Sequence, residues 1–81
     1  MRIDKFLKVS RILKRRSLAN DAASGGRIKI NGKVVKPAHE VKVGDKVEIG
    51  FSSGTVTILV LDVKPTVKKE DAEKLYQILG E

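Results

Sequence analysis

Arg15 and Arg16 stand directly before Ser17, with Arg11 and Lys14 just upstream, and that spacing points to phosphate chemistry. Ser17 is a good N-cap residue for a short helix over Leu18–Ser24. Cations ahead of a helix N-terminus oppose its positive dipole end, at a cost of about 0.3–1 kcal/mol. A bound phosphate removes the conflict, because free backbone N–H groups and cations then face the same anion. Other chemistry is scarce. The chain has one histidine, His39, which cannot hold a metal alone, and its lack of cysteine removes disulfides, thiolate ligands and thiol nucleophiles together. No Ser-His-Asp set and no paired carboxylates are legible. Gly25-Gly26 follows a helix and precedes a strand, the reverse of the strand-to-helix order of nucleotide-binding loops. Binding rather than catalysis is the expectation, with no metal and no cofactor.

The charge distribution supports an anionic partner. Residues 1–36 carry eleven Lys and Arg against Asp4 and Asp21, a balance of +9. Residues 37–81 carry six Lys against eight Asp and Glu, a balance of −2, so all of the net charge of +7 arises in the first half. Charge needed only for solubility has no reason to segregate in this way. A polyanion binder gains from it, since each neutralised phosphate releases counterions. Membrane surfaces and acidic proteins are polyanions too, so charge alone does not choose among them.

The elements that must position these residues read as one small domain over 1–81. Ile3, Phe6 and Leu7 share a helical face, and Phe6 is expected in the core. In the second short helix Leu18 and Ala22 face one way, Ala19 and Ala23 allow close approach, and Gly25-Gly26 closes the element. Alternating residues flank Asn31-Gly32, the strongest short signal for a type I′ hairpin, pairing Ile30 with Lys33 and Ile28 with Val35. A turn at Gly44-Asp45 leads into a strand, and Thr55–Val63 is the longest β run, ended by Pro65. From Lys69 to Leu79 helical periodicity returns: Ala72, Leu75, Tyr76 and Leu79 form a stripe, and Glu70 with Lys74 adds an i, i+4 pair. The expected fold is α+β: an N-terminal helix pair packed on a small bent antiparallel sheet, closed by a C-terminal helix. At the N-terminus no signal-peptide h-region appears, and no apolar run approaches the ~20 residues needed to span a bilayer, so a cytoplasmic location without a membrane partner is expected.

Four segments then carry a resemblance. Arg2-Ile3-Asp4-Lys5-Phe6-Leu7, Arg11 through Ala19, Gly26 through Gly32, and Val43-Gly44-Asp45 resemble the alpha-L RNA-binding motif. This is the domain named after ribosomal protein S-four, found also in tyrosyl-tRNA synthetases, pseudouridine synthases and heat-shock protein fifteen. It covers residues 1 to about 50, and the ordered set of segments is more specific than any one of them. Val63-Lys64-Pro65-Thr66-Val67-Lys68-Lys69-Glu70-Asp71-Ala72, leading into Leu75-Tyr76, is similar to the short free-standing ribosome quality-control branch of that family.

The resemblance implies RNA contacts by Arg2, Lys5, Lys8, Arg11, Lys14, Arg15, Arg16, Ser17, Asn20, Arg27, Lys29, Asn31 and Lys33. Arg2 and Arg16 lead this set, because a guanidinium presents a planar fork to phosphate. Asp4 would repel phosphate, and is expected to orient neighbouring cations or to stabilise the first helix near its N-terminus. The implied partners are large-subunit ribosomal RNA, peptidyl-tRNA in the P site, and the quality-control factor that adds alanine to stalled nascent chains, with the chain itself a monomer. None of that mechanism is visible in composition or spacing. A heat-shock-type ribosome recycling factor and a generic structured-RNA or DNA module are the alternatives. The sequence holds no long basic C-terminal extension like that of heat-shock protein fifteen, so contacts made by one do not carry over. Only Phe6, Phe51 and Tyr76 are aromatic, which favours structured RNA over a stacking platform for single strands.

Overall fold

A computed structural model describes residues 1–80. Helices α1 (Ile3–Val9) and α2 (Arg16–Ser24) precede strands β1 (Ile28–Ile30), β2 (Lys33–Val34), β3 (Lys46–Phe51) and β4 (Gly54–Val60). A 3-10 helix (Lys69–Leu75) and strand β5 (Tyr76–Gly80) complete the order. The strands form one antiparallel sheet in the order β2-β1-β3-β4-β5.

Helix α1 has a buried start, and a buried helix start needs partners for its first N–H groups. Distant loop atoms supply two of them. The Ile3 and Asp4 N–H groups donate to the carbonyls of His39 (2.8 Å) and Pro37 (3.3 Å), and Val41 N–H donates back to Met1 O (2.8 Å). Lys5 N–H donates to the Asp4 carboxylate at 2.7 Å. The N-terminus is thereby stitched onto the 37–41 loop before the helix begins. Its apolar face, Ile3, Phe6 and Leu7, is fully buried as the spacing predicted.

Ala19, Ala22 and Ala23 form the buried stripe of α2, at i, i+3 and i+4, and their small size lets the helix lie close to its neighbours. One sequence expectation changes here. Ser17 is not the N-cap: the helix starts at Arg16 with Arg15 as cap, and no side chain caps it. The Leu18 and Ala19 N–H groups turn onto Arg15 O instead, at 3.1 and 3.3 Å. Leu18 faces the same way as Ala22 but stays largely exposed. The alanines define that face, and the bulkier Leu18 lies at its rim beside Leu13 and Phe51.

The hairpin forms in the expected register, Ile30 opposite Lys33 and Val35 N–H on Ile28 O. Asn31 and Gly32 both hold positive φ, 52° and 85°, as a type I′ turn demands. Alternation along β1 and β3 sends Ile28, Ile30, Val47 and Ile49 into the core, joined by Ile58 and Val60 from β4.

The C-terminal segment departs furthest from its sequence pattern. An α-helix through Leu79 is replaced by one 3-10 stretch and a strand. Ala72 and Leu75 are buried, but three residues per turn align Lys74 with Asp71 (3.0 Å) rather than with Glu70. From Tyr76 the chain pairs with β4, Tyr76 opposite Val60 and Ile78 opposite Ile58. Without it the outer edge of β4 would carry a row of unpaired backbone groups, and satisfying them outweighs the helical periodicity. Tyr76 is half-buried against the core, in keeping with a packing role.

Phe6 is the largest of the fully buried side chains. Phe6→Ala is expected to cost about 3–5 kcal/mol. Urea unfolding followed by circular dichroism measures it, and a cost below 1 kcal/mol would contradict this packing.

Candidate RNA-binding site

Asp4 is the centre of the basic face. Its carboxylate is covered, with a side-chain exposure of 2%. Oδ2 accepts from Arg2 Nη2 at 3.0 Å and Asn20 Nδ2 at 3.4 Å, while Oδ1 accepts from Arg16 Nη2 at 3.3 Å. Arg16 and Asn20 lie four apart on α2, which turns both toward α1. The covered carboxylate thus fastens the two helices together through their polar side chains.

Burial alone pushes the Asp4 carboxyl up, since it disfavours the charged form. Hydrogen bonds from Arg16 and Asn20, the positive charge of Arg16 and the Lys5 N–H outweigh it and hold the group below its ordinary value. The cover is shallow: beyond the carboxylate lie two half-exposed arginine side chains, at 49% for Arg2 and 47% for Arg16. Each guanidinium spends one nitrogen on Asp4, and each side chain stays about half exposed. Two planar forks are therefore held at fixed positions beside an open depression, which Ser17, Asn20 and Asp21 also line. Arg16 and Ser17, the first two residues of α2, have no intrahelical acceptor for their N–H groups and line the same depression. An anion here would meet helix-end N–H groups and two forks at once.

The other residues carried over from the alpha-L motif do not share this depression. Lys8, Arg11 and Lys14 line a separate groove at the α1–α2 connection. Asn31 and Lys33 lie at the hairpin tip beside His39 and Lys42. Arg27 stands near Leu18 and Phe51. Lys5 is half-buried on α1, Arg15 is exposed ahead of α2, and Lys29 points away from the core on β1. Asn31 has both ends of its amide engaged within the fold: Nδ2 donates to Asp45 (3.2 Å) and Oδ1 accepts from Lys46 N–H (3.0 Å). Asp45 in turn accepts from Lys42 N–H at 2.9 Å. The hairpin tip is locked to the Gly44-Asp45 turn, and Asn31 supports Lys33 more directly than it offers itself.

The S4 domain family matches residues 1–47. A protein of Bacillus subtilis called RQC P-site tRNA stabilizing factor is 51% identical over all 81 residues, which cover 94% of its length. Its namesake in Streptococcus pneumoniae is 49% identical, again over the whole chain and 92% of the relative. The chain belongs to this S4-domain family of RQC P-site tRNA stabilizing factors. Within the solved structures, trimeric heat shock protein 15 of Vibrio cholerae superposes with a TM-score of 0.89 at 29% identity, covering 96% of this chain and 80% of that one. The S4 match takes in both helices and the hairpin, and ends inside β3. Residues 48–80, which include β4, the 3-10 helix and β5, lie beyond it.

Asp21 at the rim and the loop carbonyls beneath α1 went unassigned in the sequence. Asp4 does what its place among the cations suggested: it orients Arg2 and Arg16 and accepts an N–H at the start of α1. The Arg2-x-Asp4 and Arg16-x3-Asn20 spacings carry the signal, but nothing in one dimension shows that a 12-residue separation closes to 3.3 Å.

Asp4 folds with a lowered pKa, so it stabilises the protein above its ordinary value of 3.8, and that contribution is lost as pH falls through the lower folded value. Asp4→Asn should cost about 1–3 kcal/mol at neutral pH, the range for a charged acceptor with several donors. In urea unfolding across pH, the gap between wild type and variant should close below 3.8. A gap independent of pH would show that the charge of Asp4 contributes nothing.

Proposed function

We propose that this protein docks on the large ribosomal subunit and steadies peptidyl-tRNA in the P site while a stalled nascent chain is processed. The observation that carries this reading is the Arg2–Asp4–Arg16 cluster, on a chain about half identical to factors bearing the P-site tRNA name. Two guanidinium forks fixed by one carboxylate suit phosphates held at a set spacing, as folded RNA holds them. Flexible single strands and smooth anionic membranes do not present such a spacing. RNA docking would use the thirteen residues of the alpha-L resemblance unequally. Arg2 and Arg16 fix register, Lys5, Lys8, Arg11, Lys14 and Arg15 add phosphate contacts, and Arg27, Lys29 and Lys33 extend them along the hairpin, whose tip Asn31 holds. Ser17 and Asn20 line the central depression.

Phosphate contacts supply affinity and position, and shape supplies selectivity, with little reading of base edges. Phe6 is buried and Tyr76 half-buried, which leaves Phe51 at the β3–β4 turn as the one aromatic more than a third exposed. The protein acts here by binding, without turnover. His39 sits in the 37–41 loop, where its carbonyl serves α1. Partnership with the alanine-adding factor is part of the same proposal, through a shared tRNA. No helix among the described residues is long and apolar enough to cross a membrane.

Co-sedimentation with purified large subunits, empty or carrying peptidyl-tRNA, across a salt series tests the reading. Wild type should favour the tRNA-loaded subunit and weaken as salt rises. Arg16→Ala should bind less tightly, with a salt slope reduced by about 1 and an unchanged circular dichroism spectrum. Equal, weak binding to every RNA offered would remove the tRNA from the proposal.

A further inference from the structure

A groove of about 560 Å³ runs between the α1–α2 connection and the segment that follows β4. One wall carries Lys8, Arg11 and Lys14, and Leu13 with Pro65 and Val67 supplies an apolar side. The groove is separate from the Arg2–Asp4–Arg16 depression and shares no lining residue with it. Its second wall, residues 65–67, lies outside the matched S4 segment.

Three observations give it a ligand. First, none of the three cations is paired with a carboxylate among the described residues, whereas Arg2 and Arg16 are both anchored. Three like charges gathered on one wall repel one another until an anion arrives. Second, Arg11 holds φ at 61°, just past the end of α1, where its N–H donates to Lys8 O at 3.0 Å. Helices commonly end on glycine there, because a Cβ is strained in that conformation. Strain kept at a charged, exposed residue is characteristic of functional positions. Third, the cationic wall faces an aliphatic one, and the volume is within the ~300–1,000 Å³ range of ligand sites. Ribose–phosphate backbone has this two-sided character, with anionic oxygens on one edge and sugar C–H faces on the other.

We propose that this groove is a second RNA subsite, which takes one unpaired stretch of ribose–phosphate backbone, its phosphates on Lys8, Arg11 and Lys14 and its sugars against Leu13, Pro65 and Val67. The proposal rests on the RNA-docking reading above. It goes further in giving the domain two separate grips on RNA, one of them built partly from chain beyond the matched segment. A domain with two grips can hold two RNA segments in a fixed relation, where a single basic patch can only adhere to one.

Arg11→Gly is the informative variant, because glycine relieves the backbone strain while removing the cation. Pro65→Glu charges the opposite wall without touching the matched segment. Binding of both to large subunits carrying peptidyl-tRNA would be measured beside thermal unfolding. Affinity should fall about tenfold for each, since a phosphate is deprived of its cation in one and meets a like charge in the other. The Tm of Arg11→Gly should equal or exceed that of wild type. Photo-cross-linking of wild type to an oligouridylate bearing 4-thiouridine should join RNA to Leu13 or to residues 65–67. Wild-type affinity in either variant, weakened binding with a lowered Tm in Arg11→Gly, or cross-links confined to other surfaces would each overturn the subsite. Failure of wild type to bind loaded subunits would instead sink the docking reading, and the cross-link map would then judge the groove by itself.

Discussion

The carboxylate of Asp4 is the constraint on which the basic face depends. A domain of this size that gathers eleven cations in its first 36 residues must keep them apart or give them a counter-charge. One covered anion does this for Arg2 and Arg16, and at the same time it accepts the Lys5 N–H and so helps to begin α1. Its third side-chain partner, Asn20, extends the same contact along α2. Helix entry, helix packing and guanidinium orientation are thus three outcomes of a single group. An acid of the wrong sign for phosphate binding is what makes the spacing of its cationic neighbours definite. Definite spacing is what separates recognition of a folded polyanion from simple attraction to one.

The remaining cations are organised by other means. Backbone geometry orients Arg11, helix position orients Lys8, and a hairpin locked by Asn31 and Asp45 presents Lys33. Each anchoring device is made within the protein, so the side chains reach their partner already arranged and lose less freedom on binding. The cost falls on a small core. Among the described residues sixteen apolar ones are buried, and Ile3, Phe6 and Leu7 from α1 are among the most completely enclosed. The same seven-residue helix therefore anchors the core on one face and carries Asp4, Lys5 and Lys8 on the other.

How much of this was legible in the sequence depended on the range of the deciding interaction. Local rules suffice for Asn31-Gly32, whose turn type is set by two adjacent residues, and for the Ile3, Phe6 and Leu7 stripe. The alpha-L resemblance, resting on segments within the first 50 residues, led to the correct family. Where non-local pairing decided, the pattern misled. Tyr76 and Leu79 complete a helical stripe on paper, yet the exposed edge of β4 draws them into a strand. Ser17 has every local qualification as a cap, but Arg16 has already entered the helix, drawn to Asp4 twelve residues earlier. The Pro65–Val67 segment carried a family resemblance but no sign of a groove, because a wall has meaning only from what lies across from it.

The stitching of α1 onto Pro37 and His39 also sets an order in time. The first residues of α1 find their hydrogen-bond acceptors only in a segment more than thirty residues later in the chain. During synthesis the basic N-terminus emerges first, and it cannot complete its helix entry until the 37–41 loop has followed. The polypeptide is made on a ribosome, the kind of particle on which its finished surface is proposed to dock. In a newborn chain the cations are therefore present before α1 has the loop partners that complete its entry.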